Sequence, residues 1–285
     1  MNLTLGFSPC PNDTFIFDAL VNNKIDTHGI SFNVVLEDVE TLNRLALNNA
    51  LDITKLSYGV WPLVINDYII LNSGSALGTG VGPLLVAREN ISLDEIEEHI
   101  IAIPGEHTTA HMLFTMAFPN ATNKIFLRYN EIESFVLQSF SNNTAGVIIH
   151  ESRFTYEQKG LKKIIDLGKF WEDETGYPIP LGGIVAKRTT DILLLNKIDM
   201  LIKQSIQYAF NNYPELADYV KLNSQEMEED VMRKHINLYV NDYSIDLGIG
   251  GKKALEKLLS IYQKPNTNSI AHNNAHFLEN AVKEY

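Results

Sequence analysis

The sequence contains little cysteine and little positive charge. Its 285 residues include a single cysteine, Cys10, which excludes an internal disulfide framework and a cysteine-rich metal site. Lysine and arginine together number 23 against 35 aspartates and glutamates, so the formal net charge is −12. Because nucleic acids and anionic membranes are bound through basic patches, no nucleic-acid partner and no membrane partner are predicted. A small anionic ligand would need local donors, such as helix starts and a few lysines or arginines.

Long apolar segments are missing as well. No stretch approaches the length of about 20 residues that a membrane-spanning helix needs. The residues after Met1, Asn-Leu-Thr-Leu-Gly-Phe, have neither the basic start nor the long apolar core of a secretory signal. We therefore expect a cytoplasmic protein, and its composition, 45% hydrophobic and 20% charged, predicts a globular one. An oligomeric state is not predicted.

Segments typical of strands and of helices alternate from the amino terminus. This order predicts an α/β fold with mostly parallel sheets that are covered by helices. The predicted strands include residues 3–7, 31–38, 51–57, 68–77, 82–88 and 178–188. Helices are predicted from Phe15, over 39–50, over 108–118, and at a capping box formed by Ser92 and Glu95. A further helix is predicted from Glu131, with Ile132, Phe135, Val136 and Phe140 on one face. Beyond residue 188 only helices are predicted.

The same order predicts two lobes, the second of which is inserted into the first. Lobe I is expected to comprise residues 1–85 and 188–285, including a helical carboxy-terminal return, and lobe II residues 86–187. We expect the ligand cleft between the lobes, which is a common position for small-molecule sites. The alternative is one doubly wound domain, but its all-helical tail would then have nothing to cover.

The stretch FSPCPNDTFIF, residues 7–17, joins the end of a predicted strand to the start of a helix. Ligands bind at such junctions because the strand ends leave a crevice and the helix start offers unpaired N–H groups. Asn12 or Asp13 could cap the helix, but capping explains only one of them. We therefore assign both as candidate substrate-binding residues. Cys10 could act as a nucleophile at a helix start, but no histidine is near in sequence, and we interpret it as a wall of the site.

The stretch TKLSYG, residues 54–59, forms a second junction of this kind and adds Lys55 and Ser57 to the candidate binding residues. A glycine-rich run follows in GSALGTGVGPLLV, residues 74–86. Its spacing does not fit G-x-G-x-x-G, no helix follows it, and no Lys-Ser or Lys-Thr ends it, so no nucleotide cofactor is predicted. We expect a flexible crossing between lobes, with its backbone close to the ligand.

His107 and His111 stand four residues apart at a predicted helix start, which is the spacing of two metal ligands. The metalloprotease pattern requires glutamate directly after the first histidine, and Thr108 occupies that place, so no metal site is predicted. Thr108 and Thr109 offer hydroxyl groups beside the unpaired N–H groups of the new helix, which is a cradle for a carboxylate or a phosphate. The alternative is that one threonine is an ordinary N-cap.

His150 ends a very apolar strand in AGVIIHESRF, residues 145–154, at the sheet edge where the ligand is expected. A histidine in a cleft can titrate near neutral pH and serve as a general base or acid. Most histidines are structural, and seven others lie at strand starts, at a helix start or in the helical return: His28, His99, His107, His111, His235, His272 and His276. We therefore expect His150 to be the catalytic residue.

The segments SPCPNDTFIF, KLSYG, PGEHTTA and GVIIHESRFTY together resemble the 1,4-dihydroxy-6-naphthoate synthases of the futalosine route to menaquinone. The resemblance extends over essentially the whole chain. It implies a two-lobed fold like that of the type 2 periplasmic binding proteins, in agreement with the inserted second domain. It also implies a cofactor-independent carbon–carbon lyase that cleaves cyclic dehypoxanthinylfutalosine, a small anionic substrate, releases the sugar-derived fragment and leaves 1,4-dihydroxy-6-naphthoate.

The resemblance also implies roles for individual residues. The histidine that matches His150 is regarded as the catalytic base, and Ser57, Thr108 and Thr109 are expected around the substrate. No role is carried over to His107. The alternative activity is chorismate dehydration in the same pathway. A small-anion solute-binding protein is the alternative outside enzymes, and it is disfavoured because the sequence lacks a signal peptide and a lipoprotein cysteine.

Overall fold

The computed structural model describes residues 1–139, 143–225, 228–263 and 275–279. The chain divides into two compact units. Unit 1 comprises Met1–Leu77 and Pro180–Tyr285, and unit 2 comprises Gly78–Ile179. The sequence-based boundaries lie after residues 85 and 187, and the boundaries of the compact units lie after residues 77 and 179.

Unit 1 contains a mixed sheet. Its strands are β1 Asn2–Phe7, β2 Ser31–Leu36, β3 Ile53–Ser57, β4 Tyr68–Ile70, β5 Ala76–Gly78 and β11 Ile179–Lys187. The strand order is β2-β1-β3-β11-β4, with β5 paired to β11. Strand β1 is parallel to β2 and β3, whereas β11 is antiparallel to β3 and β4. The prediction of a mostly parallel sheet is wrong for unit 1, because β11 is antiparallel to both of these neighbours. The returning strand β11 enters at the edge where β3 ends, because Gly182 pairs with Ser57.

One predicted strand of unit 1 is interrupted. Residues 68–77 form β4 and β5 with a loop between them, in which Gly74 has φ +88°. This left-handed conformation suits glycine and ends the extended run. The buried carboxylate of Asp199 accepts a hydrogen bond from the Ser73 N–H at 2.8 Å and so holds the loop. Burial raises the pKa of Asp199 above its usual range.

The helices of unit 1 are α1 Pro11–Val21, α2 Val39–Leu47, α3 Trp61–Val64, α8 Ile192–Asn212, α9 Asp218–Asn223, α10 Glu229–Tyr239, α11 Asp242–Ile245 and α12 Gly248–Gln263. Helices α8, α9 and α10 of the carboxy-terminal return pack on helix α1, so the return covers this part of the first lobe, as we expected. The Ser205 hydroxyl of α8 donates to the Ile16 carbonyl at 2.6 Å and accepts from the Leu20 N–H at 3.1 Å. Phe7 of β1 stacks on Phe17 with ring centroids 4.5 Å apart. These contacts fix α1 against both the sheet and α8.

Unit 2 has a second mixed sheet, with the strand order β10-β6-β9-β7-β8. Its strands are β6 Leu84–Ala87, β7 Ile100–Ile103, β8 Lys124–Phe126, β9 Thr144–Ile148 and β10 Lys162–Asp166. Strand β7 is parallel to β8 and β9, whereas β6 is antiparallel to β9 and β10. Strand β10 and the helix after it were not among the predicted elements. The helices of unit 2 are α4 Thr109–Ala117, α5 Ile132–Gln138, α6 Ser152–Thr155 and α7 Leu167–Thr175, with 3₁₀ turns at Leu93–Glu98 and Tyr129–Glu131.

Two local predictions in unit 2 have different outcomes. The predicted capping box is wrong, because the Ser92 side chain makes no capping hydrogen bond. Leu93–Glu98 is a 3₁₀ turn, in which the Glu95 N–H donates to the Ser92 carbonyl. The apolar face of α5 is confirmed for Ile132 and Val136, which are buried. Phe140 lies outside the described residues. Among the described helices, none is long and apolar enough to cross a membrane.

Candidate functional site

The first polar cluster lies at the carboxyl ends of two neighbouring strands of unit 1. Leu5 pairs with Ile53 and Gly6 with Thr54, so β1 and β3 run side by side in the same direction. The turn after β1 and the turn after β3 therefore begin at the same sheet edge. Both predicted junctions of unit 1 are brought together there.

Helix α1 begins at this edge without a side-chain cap. Cys10 is the N-cap residue, with φ −63° and ψ 149°, and Pro11 is the first helical residue. Proline at this position fixes the helix start, since its missing N–H is not needed there. Asn12 and Asp13 consequently lie inside the first turn, and the interpretation of either as the cap is wrong. Both side chains are buried.

The Asp13 carboxylate collects four donors. Its Oδ2 accepts from Ser8 Oγ at 2.7 Å and from Ser8 N–H at 3.2 Å. Its Oδ1 accepts from Asn12 Nδ2 at 2.8 Å and faces Lys55 Nζ at 3.2 Å. The side chains of Lys55 and Asp13 are only 6% and 3% exposed, so this is a buried ion pair. A buried ion pair needs such additional hydrogen bonds to offset its desolvation. We call Ser8, Asn12, Asp13 and Lys55 the Asp13 cluster.

Strand β3 carries both Lys55 and Ser57 on one face, two residues apart. Lys55 Nζ donates a further hydrogen bond to the Gly74 carbonyl at 2.9 Å. The Ser57 N–H donates to Asn43 Oδ1 at 2.9 Å, and Ser57 itself is buried. The four residues that the sequence predicts for substrate binding in the first lobe therefore lie at one edge of unit 1.

His235 is a member of this site that the sequence analysis missed. Its Nε2 lies 2.9 Å from Asn12 Oδ1, although the two residues are 223 positions apart. Distance along the chain gives no indication of this contact. The pattern of α10 gives one, because its buried stripe of Val231, Met232, His235, Ile236 and Tyr239 is apolar except for the histidine and the tyrosine hydroxyl.

The second polar cluster lies at one edge of the unit 2 sheet. Strands β7 and β9 are parallel neighbours, with Ile100 paired to Thr144 and Ala102 to Gly146. The turns that follow both strands therefore begin at one edge; the first leads to Thr108 and Thr109, and the second contains His150. Strand β6 begins at the same edge, because Leu84 pairs with Ile148.

Thr108 and Thr109 occupy different positions at the start of α4. Thr108 is the N-cap, and its Oγ1 accepts from the His111 N–H at 3.2 Å and donates to the Gly105 carbonyl at 3.0 Å. The alternative interpretation as an ordinary N-cap therefore holds for Thr108. Thr109 is the first helical residue and is buried at the positive end of the helix dipole.

His111 makes two hydrogen bonds that fix its tautomer, and it lies in a partly buried environment. Its Nδ1 lies 2.7 Å from the Glu106 carbonyl, which can only accept, so Nδ1 carries the proton and Nε2 accepts from Lys124 Nζ at 3.3 Å. Burial lowers the pKa of His111, and the Lys124 ammonium lowers this pKa further. Within the described ranges, no group of three or more metal-ligating side chains is present.

His150 has an uncommon backbone conformation. Its φ is 57°, which is the left-handed region, and it follows β9 after a single intervening residue. Its imidazole is half-buried and meets the Tyr129 ring edge-on, with centroids 4.9 Å apart. A residue with a Cβ in this region is strained, and such residues concentrate at functional sites.

The residues after His150 are anchored by buried and partly buried charges. Ser152 Oγ donates to Glu133 Oε2 at 2.9 Å, and Lys159 Nζ binds the same oxygen at 2.6 Å. Arg153 donates to the Gly82 carbonyl, to the Gly80 carbonyl at 2.9 Å and to Asp166 Oδ2 at 2.8 Å. We call residues 150–153 the His150 turn.

The glycine-rich loop is anchored by the same arginine. The carbonyls of Gly80 and Gly82 accept from Arg153, and the Gly80 N–H donates to Glu172 Oε1 at 2.7 Å. Gly82 also packs so closely on Gly168 that an added Cβ would lie 2.2 Å from the Gly168 Cα. The loop that we expected to be flexible is therefore tied by several contacts to the rest of unit 2.

Comparisons with known proteins agree on one family. Residues 3–264 match the family described as menaquinone biosynthesis. The chain is 44% identical over 258 residues to the 1,4-dihydroxy-6-naphthoate synthase of Thermus thermophilus, covering 90% of this chain and 93% of that protein. It is 37% identical over 263 residues to the synthase of Streptomyces coelicolor, covering 90% and 92%.

Solved structures give the fold. Protein AF1704 from Archaeoglobus fulgidus is 30% identical and superimposes with a TM-score of 0.86 over 93% of this chain and 98% of that one. The Candida albicans CA3427 product, described as having the generic periplasmic binding protein fold, gives 0.62 at 13% identity, over 92% and 90% of the two chains. The sulphonate-binding protein SsuA of Escherichia coli gives 0.63 at 8% identity, over 93% and 88%. The predicted periplasmic-binding-protein-like α/β fold is confirmed.

Proposed function

This chain belongs to the menaquinone-biosynthesis family of 1,4-dihydroxy-6-naphthoate synthases, and we propose that it converts cyclic dehypoxanthinylfutalosine to 1,4-dihydroxy-6-naphthoate. It is an enzyme of the carbon–carbon lyase type. The observation that carries the proposal is its identity to two synthases over nine tenths of its length. The positions of Thr108, Thr109 and His150 after two neighbouring strands of the unit 2 sheet support the proposed activity.

We assign His150 as the base that starts the fragmentation. The imidazole accepts a proton from the substrate, and the electron pair left behind expels the sugar-derived fragment as the carbon–carbon bond breaks. Histidine suits this step because its pKa lies near neutral pH. The half-buried ring and the strained backbone of the His150 turn support the assignment.

The substrate carboxylate is assigned to the start of α4. The N–H groups of the first helical turn form the positive end of the helix dipole, which favours an anion, and Thr109 is the first residue of this turn. In unit 1, we assign Asn12, Asp13, Lys55 and Ser57 to substrate binding as well. Lys55 offers an ammonium donor, and the Asp13 carboxylate balances its charge and holds it in place.

Incubation of the purified protein with cyclic dehypoxanthinylfutalosine tests the activity directly. We expect 1,4-dihydroxy-6-naphthoate to be formed, as identified by mass and by its aromatic absorbance, and no turnover of chorismate in a parallel reaction. His150→Asn should lower kcat by roughly 10²- to 10⁴-fold, the usual contribution of a general base, with KM nearly unchanged. Dehydration of chorismate, or no reaction with the futalosine derivative, would refute the proposed activity.

Two threonine variants test the carboxylate site. Thr109→Val should raise KM, and because Thr109 is not the N-cap of α4, any loss of stability should not include the contribution of the cap. Thr108→Val should in addition lower the stability by about 1 kcal/mol through loss of the N-cap, and Thr108→Ser should retain the cap. An unchanged KM in Thr109→Val would exclude this side chain from binding. We also propose a cytoplasmic location, which cell fractionation tests.

A further inference from the structure

The buried side of helix α10 carries one imidazole into the Asp13 cluster. His235 is fully buried, its ring packs on Tyr239 with centroids 4.7 Å apart, and its Nε2 lies 2.9 Å from Asn12 Oδ1. Burying a polar ring in an apolar stripe costs free energy unless the ring makes hydrogen bonds. The contact with Asn12 is such a bond.

The charge on Asp13 determines which atoms of this bond donate. Asn12 Nδ2 lies 2.8 Å from Asp13 Oδ1, and a carboxylate oxygen only accepts, so the amide nitrogen must face Asp13. The amide oxygen then faces His235, and it also only accepts. His235 Nε2 must therefore carry a hydrogen, and the tautomer of His235 follows from a carboxylate two contacts away.

The same series of contacts continues to the lysine. Asp13 Oδ1 faces Lys55 Nζ at 3.2 Å, and Lys55 also donates to the Gly74 carbonyl. The contacts thus run from His235 through Asn12 and Asp13 to Lys55, and all four side chains are buried. A shift of the Asn12 amide removes one donor from the oxygen that holds the Lys55 ammonium.

We propose that His235 is a positioning residue, which orients the Asn12 amide and, through Asp13, the Lys55 ammonium. The inference rests on the proposed function only in so far as Asn12, Asp13 and Lys55 are assigned there to substrate binding. Without the Nε2–H donor, Asn12 Oδ1 would be buried without that hydrogen bond, which favours rotation of the amide. The lost donor at Asp13 would then loosen Lys55.

Steady-state kinetics with cyclic dehypoxanthinylfutalosine tests the consequence for binding. The variant His235→Leu places an apolar side chain in the stripe and removes the N–H donor. We expect KM to rise about 10-fold or more, while kcat changes much less. His235→Gln restores an N–H donor and should return most of the lost affinity. An unchanged KM in His235→Leu, or a glutamine variant no better than leucine, would overturn the proposal.

A second buried histidine provides the matched control. His99 bonds the Glu95 carbonyl through Nδ1 at 2.8 Å and contacts no member of the Asp13 cluster among the contacts that the structure gives. His99→Leu should lower the unfolding midpoint, as His235→Leu does, but leave KM unchanged. An equal rise of KM in both variants would show that loss of stability, rather than positioning, is the cause.

The tautomer of His235 tests the geometry without any activity. Long-range ¹H–¹⁵N spectra of the ¹⁵N-labelled protein at pH 8 should show a protonated Nε2 for His235, assigned by the absence of its signals in His235→Gln. A proton on Nδ1 alone would overturn the proposal. If the wild-type protein does not convert the futalosine derivative, the proposed function fails, and these spectra still decide the role of His235.

Discussion

Ser152 Oγ and Lys159 Nζ share one oxygen of the buried Glu133 carboxylate, at 2.9 Å and 2.6 Å, and this carboxylate holds the end of the His150 turn. Glu133→Leu leaves the Ser152 hydroxyl without its acceptor, so we expect a loss of about 1 to 3 kcal/mol of unfolding free energy and a lower kcat. Urea unfolding and steady-state kinetics measure the two effects.

Lys159 provides the control for this variant. Its side chain is 47% exposed, and ion pairs with exposed partners contribute little. Lys159→Met should therefore cost less than about 1 kcal/mol and leave kcat nearly unchanged. If Lys159→Met costs as much as Glu133→Leu, the ion pair rather than the Ser152 bond holds the turn.

The backbone strain at His150 predicts an unusual order of stabilities. With φ 57°, glycine should be tolerated better than alanine at this position, so His150→Gly should exceed His150→Ala by about 1 kcal/mol in unfolding free energy. Both variants should lose kcat to about the same extent as His150→Asn. Asn49 has φ 52° in an exposed turn, and its glycine and alanine variants should differ in the same direction. Equal stability of the two His150 variants would show that the strain is absent.

The buried pair of Asp13 and Lys55 should behave non-additively. Asp13→Asn leaves the Lys55 ammonium buried without its counter-charge, and we expect a loss of about 3 to 5 kcal/mol. Lys55→Met should cost a similar amount, and the double variant clearly less than the sum. The exposed pair of Lys169 and Asp173 serves as the control, in which Asp173→Asn should cost less than about 1 kcal/mol. Additive losses at Asp13 and Lys55 would mean that the pair is not coupled.

The sequence predicted the positions of strand ends better than the partners of side chains. The strands before Ser8 and through Ser57 are confirmed, because both are apolar runs bounded by turn residues, and this pattern is local. Asn12 and Asp13 follow at the predicted junction. Their contacts with Lys55 depend on the pairing of β1 with β3, which no local pattern encodes.

Failures of prediction have specific physical causes. Pro11 starts α1 and places Asn12 and Asp13 inside its first turn, so the capping preference of these two residue types did not locate the cap. Ser92 precedes a 3₁₀ turn, in which the capping-box spacing does not bring the side chain to its donor. The approach of His235 to α1 depends on tertiary packing of α10, so only its place in an apolar stripe could have indicated a buried role.

Acid sensitivity of unit 2 should depend on His111. Its pKa in the folded protein is lowered, chiefly by burial; the hydrogen bond to the Glu106 carbonyl opposes this, and the Lys124 ammonium and His107 add to the lowering. The unfolded chain, with a pKa near the ordinary 6.5, therefore takes up the proton first as the pH falls. The stability that a neutral His111 confers is complete above the unfolded pKa of about 6.5 and is lost as the pH falls through the lower, folded pKa.

The variant His111→Gln tests this dependence, because glutamine stays neutral and can still accept from Lys124. The difference in unfolding free energy between wild type and His111→Gln should shift in favour of the variant between pH 7.5 and pH 5, as measured by urea unfolding. Lys124→Met removes the neighbouring positive charge and should reduce this dependence in the wild-type background, because it raises the folded pKa towards the unfolded one. A difference between wild type and His111→Gln that is the same at both pH values would exclude His111 as the sensitive group.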